Sequence, residues 1–77
     1  MPKYRIHIVN GHFSDTGEEE APDATTAWQK AIRSAVVMAA DQVSHGNPFF
    51  GAEVTLHEGK KRIGRWVVSV GATPLKD

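Results

Sequence analysis

The chain contains no cysteine, which excludes a disulfide framework and any thiolate metal site. Neither sign of charge is in excess, because nine basic and nine acidic side chains cancel. A dedicated binder of nucleic-acid backbone usually carries a marked basic surplus, so that role is not expected. Long apolar runs are also missing. The longest, AVVMAA, is far too short to span a bilayer. The start, MPKYRIHIVN, lacks the apolar centre of a signal peptide. These absences lead to the expectation of a soluble, cytoplasmic protein with no membrane contact. With 77 residues, the expectation is one domain spanning 1–77. A domain of this size buries roughly 60% of its unfolded surface. It has little core to give up to a deep, dry active site.

Strand and helix periodicities fill the rest. In YRIHIV, Tyr4, Ile6 and Ile8 alternate with Arg5 and His7, as in a half-buried strand. Asn10-Gly11 follows and predicts a two-residue hairpin, because both residues tolerate positive φ. That turn would set Val9 opposite His12 and Ile8 opposite Phe13, placing Phe13 in the core. A helix is predicted over about 24–45. Asp23 would cap it, with Pro22 blocking an earlier start and Gly46 and Pro48 ending it. Ala24, Trp28, Ile32, Ala35, Ala39 and Val43 form its apolar stripe. Small Ala31, Ala35 and Ala39 would let it lie close on a sheet. Two further strands, AEVTLHE and RIGRWVVSV, follow. An odd-length loop around Gly59 to Lys61 would pair Val54 with Trp66 and Leu56 with Gly64, keeping Arg65 out of the core. The predicted fold is α+β, a two-layer β-β-α-β-β domain with one mainly antiparallel sheet and a single helix on one face.

MPKYRIHI, PDATTAWQKAIRSA and GNPFFGAEVTLHEGKKRI together resemble a family of short, uncharacterised bacterial proteins, a domain of unknown function. The likeness lies in a Met-Pro-basic-Tyr start, an acidic turn, Pro-Asp before an Ala-rich helix, and a Gly-rich lead into a final hairpin. It covers nearly the whole chain. Ala21 stands where relatives tend to carry a larger apolar residue, and Thr25 and Thr26 where they tend to be acidic. The resemblance implies no activity, cofactor or catalytic residue.

Candidate sites follow from the residues alone. FSDTGEEEAPD fails as a calcium loop. Counting from Asp15, the third position is Gly17, the sixth Glu20 and the twelfth Thr26. Glu20 and Asp23 instead suit the positive end of the helix dipole, which leaves Asp15, Glu18 and Glu19 on an acidic turn. His57-Glu58 begins an H-E-x-x-H pattern, but Lys61 replaces the second histidine. The expected registers place His7, His12 and His57 on one open sheet face, where three imidazoles could hold zinc for a metal-dependent enzyme. The third-ranked expectation is that enzyme, and no metal or cofactor is assigned. GKKRIGRW lacks the Lys-Ser/Thr ending and the strand-to-helix setting of a phosphate loop. Lys60, Lys61, Arg62 and Arg65 still make a basic hairpin tip able to touch phosphates, so weak nucleic-acid binding ranks second. Ser14, Ser34, Ser44 and Ser69 lack a nucleophile setting, and no catalytic residue is assigned. Val9, Ile63 and Val67 fall on the uncovered sheet face. Framed by Arg5, His7, His57 and Arg65, they form an apolar patch of the kind that marks partner surfaces. The first expectation is a non-enzymatic protein-interaction module that binds itself or another protein through this face or a free sheet edge.

Overall fold

A computed structural model describes residues 1–12 and 14–76. It contains β1 (Lys3–Val9), β2 (Ser14–Glu20), α1 (Ala24–Ser44), β3 (Phe49–Glu58) and β4 (Lys61–Gly71). The strands form one antiparallel sheet in the order β2-β1-β3-β4. The helix packs on β3 and β4 and reaches β1. This is the α+β, β-β-α-β-β architecture that the alternating strands and the single amphipathic segment dictate. No helix among the described residues is long and apolar enough to cross a membrane.

The helix begins and ends for identifiable reasons. Asp23 is extended and accepts the Thr26 N–H at 2.8 Å, satisfying one of the donors a helix start leaves free. That hydrogen bond holds the Asp23 carboxyl below its ordinary pKa. At the other end Gly46 takes φ 103°. Its N–H bonds Val43 O, and Asn47 N–H reaches back to Gln42 O. This is a Schellman stop, in which a left-handed residue turns the last carbonyls inward. Between the ends, Ala27, Ala31, Ala35 and Ala39 are wholly buried. Their four-residue spacing makes a small-residue ridge that seats the helix directly on the sheet. Ile8, Phe50, Ala52, Val54 and Val68 complete the core beneath it. A second cluster gathers Tyr4, Ala21, Ala27 and Leu56, with Trp28 and Trp66 against it.

Three local expectations are corrected. The β1–β2 connection is not a two-residue hairpin: Val9 pairs with Ser14 and Ile8 with Asp15. A type I′ turn needs positive φ at both Asn10 and Gly11, and neither has it. Instead the Asn10 side chain accepts the His12 N–H at 2.8 Å, a turn closed by its own amide. The place opposite Ile8 thus belongs to Asp15, and Phe13 lies outside the described residues.

The acidic stretch is an edge strand rather than a loop. β2 pairs only with β1 and is exposed along most of its length, so it needs no apolar alternation. Two of its four carboxylates face a base across the ladder, Glu18 opposite Arg5 and Glu20 opposite Lys3. Glu19 lies 4.0 Å from Lys30 of the helix.

The β3–β4 loop is even, with Glu58 paired to Lys61 and Gly59 at φ 61°. The expected upstream pairs, Val54 with Trp66 and Leu56 with Gly64, are nevertheless present. A β-bulge between Leu56 and His57 restores the register: Arg62, not Ile63, pairs with His57. One extra residue in the strand does what an odd loop would have done.

Candidate functional site

The bulge decides what the uncovered sheet face presents. Ile63 is the extra residue, and it packs against the Tyr4–Leu56 core cluster. The expectation that Ile63 lies on the open face is therefore wrong. Strict alternation would have put it there, but a bulged strand re-aims one side chain.

The open face reads in rows across the strands. One row runs Glu18, Arg5, His57, Arg62; the next runs Thr16, His7, Thr55, Arg65; a third runs Ser14, Val9, Glu53, Val67. Arg5, His7, Val9, His57, Arg65 and Val67 are thus brought onto one face. The expected apolar patch is not continuous, because Glu53 stands between Val9 and Val67. Glu53 is not idle there, since its carboxylate holds the Arg65 guanidinium in an ion pair. Arg65 is thereby engaged within the sheet, while no ion pair among the described residues involves Lys60, Lys61 or Arg62.

An exposed aromatic at the far end of this face was not anticipated. Phe49 is 65% exposed and Val67 is 72% exposed. Phe49 pairs with Gly71 and Gly51 with Ser69, which puts all four residues on the uncovered side. A Cβ on Gly51 would come within 3.0 Å of the Phe49 ring, so the ring lies over that glycine, toward Val67. The signal was present in the sequence. Counting back by twos from buried Val54 makes Phe50 face in and Phe49 face out. The apolar part of the open face is therefore Phe49, Val67 and Val9, displaced along the sheet from the histidines.

The histidines do not converge as a threesome. His7 pairs with Thr55 and His57 with Arg5, so the two are diagonal neighbours on adjacent strands. His12 is not on a strand but in the β1–β2 turn, which removes the expected three-imidazole face. His7 Nε2 lies 2.9 Å from Ser14 Oγ. His57 Nδ1 is buried with no hydrogen-bond partner among the described residues. No group of three or more His, Asp or Glu side chains among the described residues could hold a metal ion.

A cleft of about 550 Å³ lies between the β1–β2 turn, the helix C-terminus and the start of β3. Its described lining is Asn10, Gly11, His12, Gln42, Asn47, Phe49, Phe50 and Gly51. This set offers one titratable side chain and no carboxylate or hydroxyl nucleophile, too little for paired acid–base chemistry. At the opposite end, Tyr4 is buried, and that burial, with Glu58 and then Asp23 nearby, pushes its phenol above the ordinary value.

Over residues 3–70 the chain matches the family described as a domain of unknown function (DUF6894), and it belongs to that family. No curated protein and no solved structure matches it.

Proposed function

We propose that the chain is a small non-enzymatic interaction module that binds a second copy of itself through the open face of its sheet. The observation that carries this reading is the pair Phe49 and Val67, both well over half exposed on adjacent strands of the uncovered face. A single exposed apolar residue is ordinary. Two on one sheet face, with Val9 in the same row as Val67, make a patch that water covers at a cost. A two-fold pairing would bury each patch against its copy, with the Glu53 carboxylate between Val9 and Val67 kept in its ion pair with Arg65. Dilution of ¹⁵N-labelled protein tests it. Amide shifts that change with concentration at Phe49, Gly51, Val67 and Ser69 are expected. Constant shifts at Phe49 and Val67 over the whole range would contradict it.

A second reading is weak contact with nucleic-acid phosphates through Lys60, Lys61 and Arg62. It is favoured by their exposure and by the lack of ion pairs to them among the described residues. Binding to single-stranded oligonucleotides that weakens steeply as salt rises would support it; no binding at low salt would exclude it.

A further inference from the structure

The sheet is open and has two edges, the outer sides of β2 and β4. They carry opposite charge. The β2 sequence, SDTGEEE, is acidic without a base. The β4 sequence, KRIGRWVVSVG, is basic without an acid. The opposed charges stand at the same level of the sheet, because Glu18 and Arg62 terminate one cross-strand row. Three successive antiparallel pairings leave β2 and β4 running in opposite directions. A second copy shifted along the sheet therefore sets its β2 antiparallel to the first copy's β4, with both helices on the same side. Glu18–Glu20 then lie beside Lys61 and Arg62, two cations that no ion pair among the described residues holds.

Charged edges ordinarily guard against pairing. Here the guard is selective. Like charges oppose β2 on β2 and β4 on β4, because equal charges directly opposite destabilise a ladder. The unlike combination is left open. We propose that copies of this chain join head to tail, β4 of one on β2 of the next, extending a single sheet into short chains. Such a contact is heterologous and does not close on itself. It rests on the reading that the chain binds its own kind, but it uses a different surface from the open face. One strand pair and a few exposed ion pairs give weak association, sensitive to salt.

The test uses two charge-reversed proteins. One carries Glu18→Lys and Glu20→Lys on β2; the other carries Lys61→Glu and Arg62→Glu on β4. Sedimentation at low salt and high protein concentration is expected to show chains for the wild type and, for each variant alone, nothing larger than the open-face dimer. An equimolar mixture of the two variants is expected to regain chains, since each acidic edge again meets a basic one. Circular dichroism checks that both are folded. If a reversed variant is not, the milder pairs Glu18→Gln with Glu20→Gln and Lys61→Gln with Arg62→Gln replace it, with shorter chains expected. A wild type without salt-sensitive chains, or variants that assemble as the wild type does, would overturn the proposal. Assembly that survives both charge reversals but is lost in Val67→Glu would sink the edge contact and leave the open face. The reverse pattern would sink the face and leave the edge.

Discussion

At the scale of single residues, a few side chains carry more than their size suggests. Gly64 is one. A Cβ there would meet the Trp66 ring at 2.6 Å, and that ring stands edge-on to Trp28 with centroids 5.5 Å apart. Gly64→Val is expected to cost about 1–3 kcal/mol through overpacking, with a changed near-ultraviolet dichroism signal from the displaced tryptophans. Denaturant unfolding with tryptophan fluorescence measures both. Asp23 is another. Its folded pKa lies below the unfolded carboxylate value, roughly 3.9. The stability it contributes is therefore complete above that value and is lost as pH falls through the lower folded pKa. Asp23→Asn keeps a capping side chain that does not titrate in acid. Thermal melts between pH 2 and 5, in roughly the interval where the wild-type carboxyl protonates, are expected to show a shallower acid loss for Asp23→Asn. Equal slopes for the two proteins would contradict the assignment.

At the scale of elements, the helix rests on its alanine ridge. Ala35 has no exposed surface and lies above the largest part of the core. Ala35→Leu should lift the helix and lose about 1–3 kcal/mol, whereas Val37→Lys, on the exposed side, should change stability by less than about 0.5 kcal/mol. Chemical denaturation of both variants makes the comparison. The elements also show what the residues made legible. Alternation in β1 and β3, the Asp23 cap and the Gly46 stop are local signals, and local signals can be read without a fold. β2 carried no such signal. An edge strand wet on both faces needs no apolar period, so SDTGEEE looks like a loop until β1 pairs with it. The bulge at Ile63 was equally hidden. Its extra residue and the even turn at Gly59 together give the same upstream register as an odd loop without a bulge. Only the three-dimensional pairing separates the two, and with it the face on which Ile63 falls.

At the scale of the whole molecule, a 21-residue helix covers one face of a four-stranded sheet and leaves the other to solvent. That imbalance was readable from one helix and four strands. The composition of the bare face was half readable: Arg5, His7, His57, Arg65, Val9 and Val67 lie where alternation sends them, while Phe49 replaces Ile63 as the aromatic or aliphatic partner of Val67. The consequence is a bare face divided into a polar, histidine-bearing end and an apolar end. The apolar end is the one expected to seek a partner. Sedimentation velocity in high salt, from micromolar to millimolar protein, tests this most directly, since screening removes charge-driven edge contacts and leaves apolar ones. The expected result is a wild type that shifts to a faster-sedimenting dimer with rising concentration, and a Val67→Glu variant that stays monomeric yet folded, with a somewhat lower melting temperature because its new carboxylate stands opposite Glu53. A wild type that remains monomeric throughout, or a Val67→Glu variant that dimerises equally well, would contradict it.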